Sequence, residues 1–404
     1  MRARAGAVIA IIVSLGGLAA RQSPTAWPLE PHAIESPAGS DSAQPQLTVS
    51  ARGVLLSWIE RSGANAALKF SERTASGWTT PRSAIVAGNL FVNWADVPSV
   101  LRLDDGTLVA HWLQKSGSSL SAYDVRLSSS KDDGKTWMDP VLPHHDGTPT
   151  EHGFASLFQM RGGGLGLVWL DGRAMTADAG HGGHGAGNMA LMFGAFDRQW
   201  KQTAEAPIDA RVCECCPTSA AVTADGPIVA YRNRGDDELR DVYVSRYGNG
   251  RWTEPVAAHA DGWKIQACPV NGPMLSARGR DVALAWFTVR DNQPHAYAAF
   301  SSDAGRTFGT PLRLDEVTAT GRVDVELLPD GSALASYIEY GGGQTRFNVR
   351  RVDRAGARSS AITIAALEDG RTSGYPRMAL HGDELVFAWV ERAGVKTKVA
   401  RLAR

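Results

Sequence analysis

The chain has 404 residues, with 42 Lys plus Arg against 42 Asp plus Glu, so its formal net charge is zero. This balance provides no overall field toward nucleic acid or anionic membranes, and we expect neither as a partner. The length would suit two or three ordinary domains, but repeat proteins of this size form one domain because each unit packs only on its neighbours.

Residues 1–20 have the pattern of a secretory signal peptide. Arg2 and Arg4 precede an apolar run at residues 7–15, and Leu18-Ala19-Ala20 precede the expected cleavage point. We therefore expect an exported protein, periplasmic or extracellular, with no integral membrane segment. An uncleaved N-terminal anchor is the alternative.

An aromatic residue following an apolar strand recurs seven times, at intervals of about 50 to 60 residues. The flanking strands are four to seven residues long, and no segment keeps a helical period over twelve residues. Each unit carries about four strands, which is the content of a propeller blade. We predict one all-β propeller of seven four-stranded blades over residues 46–404, with six blades as the alternative. The aromatic positions are Trp58, Trp112, Trp169, Tyr231, Trp286, Tyr337 and Trp389.

The last unit offers only three strands before the chain ends, so its fourth strand must come from elsewhere. Residues 21–45 contain Trp27-Pro28, which resembles the aromatic and proline ending of other units, followed by a Ser-, Gly- and Pro-rich linker at residues 36–46. We predict that residues near 27–35 pair with the edge of the last blade.

Residues 130–137 (Ser-Lys-Asp-Asp-Gly-Lys-Thr-Trp) and 301–308 (Ser-Ser-Asp-Ala-Gly-Arg-Thr-Phe) repeat one hairpin pattern. This pattern resembles the Asp-box, or BNR repeat, of the sialidase superfamily of β-propellers. The resemblance implies that Asp132 and Asp303 are structural turn residues on the face away from the active site. Sialidases have six blades and begin with an Arg-Ile-Pro motif, whereas Asp96-Val97-Pro98 stands here without the arginine that holds the sialic acid carboxylate.

The inner strand of each blade starts, and the second strand ends, at the same face of a propeller. Charged and polar residues concentrate at these positions, and the shared sign of several arginines indicates an anionic small molecule or glycan as the ligand. The alternative is that these charged and polar residues form a solvent-exposed rim of loops without a binding function. We predict as ligand-binding residues Arg173, Arg234, Arg290, Arg322, Asp324, Arg377, Glu151, His152 and Asn271.

The resemblance to sialidases implies a tyrosine nucleophile activated by a carboxylate, together with a separate acid. Tyr375, Glu326 and Asp96 are the candidates for these roles. Packing of Tyr375 at the rim is the alternative.

All four cysteines, Cys213, Cys215, Cys216 and Cys268, lie within 56 residues. An even number in an exported protein favours structural disulfides, and three pairings are possible. The alternative is a copper or zinc site formed by these thiolates with His181 and His184. We favour no cofactor.

We predict an exported, monomeric, sialidase-like propeller with an anionic-ligand pocket at its axial mouth, able to act as a glycoside hydrolase. A non-catalytic glycan- or peptide-binding propeller and a periplasmic copper- or zinc-binding protein are the alternatives. Phosphoesterase or lyase activity also stays open, because fold does not determine function.

Overall fold

The computed structural model of the protein describes residues 27–175, 187–392 and 394–402. The described residues form seven antiparallel sheets around a central axis, which confirms the predicted seven-bladed all-β propeller. Gly370–Ser373 is the one helical segment among the described residues, a 3₁₀ turn. No helix in the described part of the chain is long and apolar enough to cross a membrane.

In every blade the strands follow one another in chain order from the axis outward, apart from the strand that closes the ring. Blade 1 consists of Ser42–Ser50, Gly53–Ser62, Asn65–Thr74 and the short outer strands Gly77–Trp78 and Arg82–Ala87. Blade 2 consists of Ser99–Arg102, Leu108–Lys115 and Tyr123–Ser130, with its fourth position held by a bridge between Leu127 and Val141. Blade 3 consists of His152–Gln159, Leu165–Asp171, Met189–Phe196 and Gln202–Val212.

The remaining four blades are built in the same way. Blade 4 consists of Ser219–Thr223, Gly226–Arg232, Val242–Gly248 and the short strands Arg251–Trp252 and Val256–Ala257. Blade 5 consists of Met274–Arg278, Asp281–Arg290, Gln293–Ser301 and Leu312–Arg313. Blade 6 consists of Thr318–Leu327, Ala333–Gly341, Gln344–Val352 and Ile362–Leu367. Blade 7 consists of Arg377–His381, Glu384–Glu391, Gly394–Arg401 and, outermost, His32–Ile34.

The N-terminal strand closes the last blade, as predicted. His32 pairs with Val399 and Ile34 pairs with Thr397, antiparallel to the third strand of blade 7. Blade 1 begins at Ser42, inside the segment that the sequence suggested as a linker. The Ser42 hydroxyl accepts the Val395 amide at 2.9 Å, so this segment is bonded to blade 7 as well.

The seven repeated aromatic residues all lie on the second strands of their blades and are at most 4% exposed. A buried indole needs an acceptor for its N–H group. Four of these tryptophans donate to the side chain two residues further along the same strand, which stands on the same face. These pairs are Trp58 with Glu60 (3.0 Å), Trp112 with Gln114 (3.3 Å), Trp169 with Asp171 (2.8 Å) and Trp389 with Glu391 (2.9 Å).

Side chains on the inner segments bond to the backbone of the next blade's inner segment. We call this set of bonds the axial girdle. Its bonds join Thr48 to Val100 (2.7 Å), Asp96 to Phe154 (2.8 Å), Ser156 to Thr218 (3.0 Å), Ser219 to Leu275 (3.0 Å), Ser276 to Leu327 (3.0 Å) and Asp324 to Met378 (2.9 Å). Blade 7 is joined to blade 1 further out, where Arg73 donates two hydrogen bonds to Glu384.

The two Asp-box-like hairpins have the same internal bonds. In the first, Ser130 Oγ accepts the Gly134 amide at 2.8 Å, and the Asp132 carboxylate accepts the amide (2.9 Å) and hydroxyl (2.7 Å) of Thr136. The second repeats them with Ser301 and Gly305 (2.9 Å) and with Asp303 and Thr307 (3.0 and 2.7 Å). Both hairpins follow the third strands of their blades, at the face opposite to the starts of the inner strands.

We predict that Asp303→Ala lowers the free energy of unfolding by about 1 to 2 kcal/mol, the scale for losing a capping carboxylate. Four donors within the turn lose their acceptor in this variant. Chemical denaturation measures the change, and Ser302→Ala, at the exposed neighbouring position, is the control. Equal stability of the two variants would contradict the structural role of the carboxylate.

A second prediction concerns the pH dependence of stability. Burial raises the pKa of Asp96 to about 8, so the folded protein keeps a proton that the unfolded chain releases above about pH 4. Stability is therefore lost as the pH rises from about 4 to 8. In Asp96→Asn the side-chain amide oxygen can still accept the hydrogen bond from the Phe154 backbone amide, but the side chain no longer titrates.

Between pH 5 and pH 9, we expect the unfolding free energy of Asp96→Asn to rise relative to wild type by more than about 1.4 kcal/mol, the equivalent of one pKa unit. Denaturant melts at the two pH values measure this difference. The exposed Asp139→Asn is the control, for which no such change is expected. Parallel pH profiles for wild type and Asp96→Asn would refute the buried, protonated state of Asp96.

Candidate functional site

The seven inner strands start at one end of the axis, which we call the mouth. Below it, all seven inner segments line a central channel with a volume of about 230 Å³. Asp96, Asp324, Glu326 and Arg377 are among the lining residues. The sequence prediction places these four side chains at the mouth, whereas in the structure they line the channel below it.

Tyr375 lies across the mouth. Its hydroxyl donates to the backbone carbonyl of Val270, in the loop that enters blade 5, and its ring stacks on Trp94, in the loop that enters blade 2. The two ring centroids are 5.9 Å apart and the planes differ by 19°. Because neither blade 2 nor blade 5 is a neighbour of blade 7, these contacts can form only across the axis. The side chains of Trp94 and Tyr375 thus cover the channel where the sequence predicted an open pocket.

Three arginines surround this aromatic pair, and none of them forms an ion pair with a carboxylate of the described residues. The Arg322 guanidinium lies 5.0 Å and that of Arg371 5.8 Å from the centre of the Trp94 ring. The Arg377 guanidinium lies 5.4 Å from the centre of the Tyr375 ring. The hydrogen bonds of Arg322 go to neutral groups, the Ser373 hydroxyl and the Gly370 carbonyl. Within the described residues, the three guanidinium groups are therefore not neutralised by an ion pair.

Asn271 positions Arg322 rather than facing a ligand directly. Its Oδ1 accepts the backbone amide of Arg322 at 2.8 Å. At Gly321, where φ is +88°, a Cβ atom would lie 2.1 Å from the same Oδ1. Glycine at position 321 therefore permits this close approach.

The other three predicted arginines are not part of this group. Arg173 and Arg234 are neutralised by buried or half-buried carboxylates, and the side chain of Arg290 is 64% exposed. The five predicted arginines thus do not form one group of unpaired cations. The observed ion pairs are Arg173 with Asp171 (2.7 Å) and Glu205 (2.8 Å), Arg234 with Glu214 and Glu238 (2.7 Å), and Arg290 with Asp291 (3.5 Å).

Four carboxyl groups near the axis have raised pKa values because burial disfavours their charge. Burial raises the pKa of Asp96 and of Glu326 to about 8, and it also raises the pKa of Asp324. Burial, together with the nearby charge of Glu214, raises the pKa of Glu151 to about 7. Glu151 is half-buried, whereas Asp96 is fully buried, so Glu151 is the one suited to exchanging a proton with a ligand at the mouth.

Tyr375, Glu326 and Asp96 do not form one catalytic group. Glu326 accepts a hydrogen bond from Ser276 and is level with Leu380 of blade 7. Leu380 is five residues from Tyr375, which at 3.3 Å per residue corresponds to about 16 Å. Glu326 therefore cannot activate the phenol. Burial also raises the pKa of Tyr375, in the direction opposite to that required of a nucleophile.

A buried group of two histidines and three aspartates, the histidine cluster, lies between blades 2 and 3 at the mouth. The rings of His144 and His152 stack with centroids 3.8 Å apart. Asp146 Oδ1 lies 2.9 Å from His144 Nδ1 and 3.2 Å from His152 Nε2, while Asp124 and Asp171 lie within 3.7 Å of the rings. Burial lowers the pKa of His144, whereas the carboxylates, against burial, raise that of His152.

The sequence predicts only one of these two histidines, His152, as a site residue. His144 and Asp146 follow the outermost segment of blade 2, which runs toward the mouth, whereas the prediction covers only first and second strands. Their position after a fourth strand is the signal that could have identified them. The cluster is compact and internally bonded, so His152 faces these aspartates rather than the central channel.

The four cysteines are all unbridged, and three of them form a cluster at the mouth. Cys213 Sγ lies 3.1 Å from that of Cys216 and 3.8 Å from that of Cys215. Cys268 contacts Cys215 from an exposed position. The disulfides favoured from the sequence are therefore not formed in this structure, and the histidines of the proposed metal site, His181 and His184, lie outside the described residues.

No protein-family model matches the sequence, and no curated protein does. Solved structures match the fold over most of the chain. An ulvan lyase from a new polysaccharide lyase family has a TM-score of 0.58 at 11% identity and covers 91% of this chain and 95% of its own. The polysaccharide lyase Uly1 has a TM-score of 0.52 at 11% identity, with 90% of each chain covered. An α-L-arabinofuranosidase of Fusarium graminearum, in complex with arabinobiose, has a TM-score of 0.50 at 15% identity and covers 78% of this chain and 93% of its own. At these identities the protein is similar to them in fold, and its function must be argued from its own residues.

Proposed function

We propose that the protein is an exported, monomeric, glycan-active propeller that takes an anionic glycan at its mouth and hydrolyses a glycosidic bond there. The observation that carries the proposal is the group of arginines beside Trp94 that have no ion-pair partner among the described residues. Arg377 of this group is buried, and the arginines outside it that the sequence predicts for the site are neutralised or exposed. Arg322 and Arg371 are therefore the cations of this group that a ligand can reach.

The chemistry of these groups suits an acidic sugar. A guanidinium donates paired hydrogen bonds to a carboxylate or sulfate, and an aromatic edge or face can pack against the apolar face of a sugar ring. The ulvan lyase of the same fold has also been solved bound to a repeat of glucuronic acid and rhamnose 3-sulfate. That neighbour supports an acidic glycan as the class of ligand, including uronates and the sialic acid implied by the Asp-box resemblance.

Glu151 and Glu214 are the carboxyl pair proposed for the reaction. Glu214 forms ion pairs with Arg234 and with Arg240, the latter at 3.1 Å. Its charge adds to burial in keeping Glu151 protonated up to about pH 7. A glycosidase commonly uses a pair of carboxyl groups, and the one that stays protonated acts as the general acid.

The alternative within the same site is glycan binding without turnover. It shares the arginines but does not need Glu151 to titrate. Binding and turnover therefore have to be measured separately, and the same oligosaccharides serve both purposes.

We predict that Arg322→Ala weakens binding of a uronate- or sialate-containing oligosaccharide about 10- to 100-fold, the scale for losing a charge-assisted hydrogen bond. Isothermal titration calorimetry gives the dissociation constants. A neutral oligosaccharide of the same length should bind weakly to both proteins. The control variant is Arg290→Ala, because Arg290 is exposed and lies outside the group. Equal losses in the two variants, or tighter binding of the neutral sugar, would refute an anionic-ligand site at the mouth.

We predict that Glu151→Gln lowers kcat on a cleaved oligosaccharide by about 10²- to 10⁴-fold with little change in KM, because the general acid is lost. The wild-type rate should fall as the pH rises through about 7, where Glu151 loses its proton. Reducing-end release at several pH values measures both effects.

Tyr375→Phe is the comparison that separates this mechanism from the tyrosine nucleophile implied by the sialidase resemblance. We expect Tyr375→Phe to keep turnover and lose stability, since Val270 loses its hydrogen bond. The reverse pattern, with turnover abolished in Tyr375→Phe and retained in Glu151→Gln, would favour the sialidase mechanism. Binding without cleavage of any sugar would leave the protein a glycan-binding propeller.

A further inference from the structure

The four cysteines meet at one point of the mouth although they enter it from two blades. Cys213, Cys215 and Cys216 follow the outermost strand of blade 3 and lead into blade 4, and Cys268 lies in the loop that leads into blade 5. The chain contains no other cysteine. Cys213 and Cys216 are each 1% exposed, so their thiols are removed from solvent. This convergence is not needed for the glycan site and calls for a separate explanation.

The distances between the sulfur atoms fit shared coordination of a metal better than covalent pairing. Two thiolates on one tetrahedral zinc ion, each at about 2.3 Å, stand about 3.8 Å apart. Cys213 Sγ and Cys215 Sγ are 3.8 Å apart, and all three sulfur atoms of the segment lie within 4.8 Å of one another. The closest pair, Cys213 and Cys216 at 3.1 Å, is well beyond the disulfide bond length of about 2.05 Å.

Two buried arginines lie next to the sulfur atoms, and each favours the thiolate form of a neighbouring cysteine, although burial raises the pKa of the Cys213 thiol. Arg232 is 1% exposed, and its three hydrogen bonds go to the backbone carbonyls of Asn271, Arg240 and Phe287. It interacts electrostatically with Asp241 and with the Cys216 thiol, and in each case it favours the negatively charged form. A buried guanidinium bonded to neutral groups is stabilised by a nearby negative charge. Arg240 is likewise fully buried and lies close enough to Cys213 to act on its charge.

We propose that Cys213, Cys215 and Cys216 bind one thiophilic metal ion, Cu(I) or Zn(II), with Cys268 as the fourth ligand from the solvent side. Thiolates are the ligands that both ions prefer. Cys268 contacts Cys215 and is exposed, so it provides the route by which an ion enters and leaves. The ion would join the segment entering blade 4 to the loop entering blade 5, and would hold Glu214, between two of its ligands, in place.

The test uses the whole chain, purified without chelators under anaerobic conditions. Elemental analysis is expected to show one copper or zinc ion per chain. Thiol counting after denaturation with chelator should find four free thiols, and the unreduced mass should match the reduced chain. Titration of the metal-free protein with Cu(I) against a chromogenic chelator, and with Co(II) as a spectroscopic substitute for Zn(II), distinguishes the two ions.

Cys213→Ser and Cys216→Ser should each lose stoichiometric binding, and Cys268→Ser should bind with at least 10-fold lower affinity. Met189→Leu is the matched control, because Met189 pairs with Val212 beside the cluster and carries a sulfur outside the proposed ligand set. Two disulfides in the isolated protein, the absence of stoichiometric Cu(I) or Zn(II) binding by the reduced wild type, or full binding by Cys213→Ser would each overturn the proposal. The wild-type measurements decide the matter even if a serine variant fails to fold.

Discussion

The propeller depends on the way in which one inner strand is joined to the next. Each inner strand has a hydrogen-bonded partner on its outer side only, so backbone groups on its axial side need other partners. The axial girdle supplies them from hydroxyl and carboxylate side chains of the adjacent blade. Asp96 and Asp324 therefore have a structural role, because each joins two adjacent blades. A polar residue at the axis of such a protein is not by itself a sign of a binding site.

At the mouth, arginines that form ion pairs belong to the structural framework, whereas arginines without an ion pair in the described structure are the candidates for ligand binding. Arg173 and Arg234 lie on polar rims that look suitable for a ligand, yet buried carboxylates already satisfy them. In the described part of the chain, Arg322 donates its side-chain hydrogen bonds to neutral groups and lies against an indole. Ion pairs in the interior offset the cost of removing charge from water. An anionic ligand therefore gains the most binding free energy at a cation that lacks such a partner.

Much of the architecture is accessible from the sequence because it is periodic. The aromatic residue of each second strand, from Trp58 to Trp389, marks one blade, and the incomplete last unit indicates closure by the N-terminal strand. The mouth is less accessible. Tyr375 contacts Trp94 and Val270 across the axis, between loops of unequal length that follow no repeat.

The depth of a residue along an inner strand is a second limit. The sequence prediction places both Glu326 and Tyr375 at the mouth, because strand starts can be located only within several residues. An error of that size moves a side chain from the mouth to the far end of the channel. The histidine cluster escapes prediction for a related reason, since His144 follows a fourth position held by a single bridge, which leaves almost no strand pattern in the sequence.

The closing strand has a consequence for the order of folding. It brings His32 into register with Val399, so the ring joins segments from the two ends of the chain. Closing so long a loop costs more entropy than forming any hairpin within a blade. The individual blades can form as the chain emerges, whereas the ring cannot be completed until synthesis has almost finished. Until then the N-terminal strand and the open end of the incomplete ring can pair with another chain. A protein released before its last blade is made cannot close the ring.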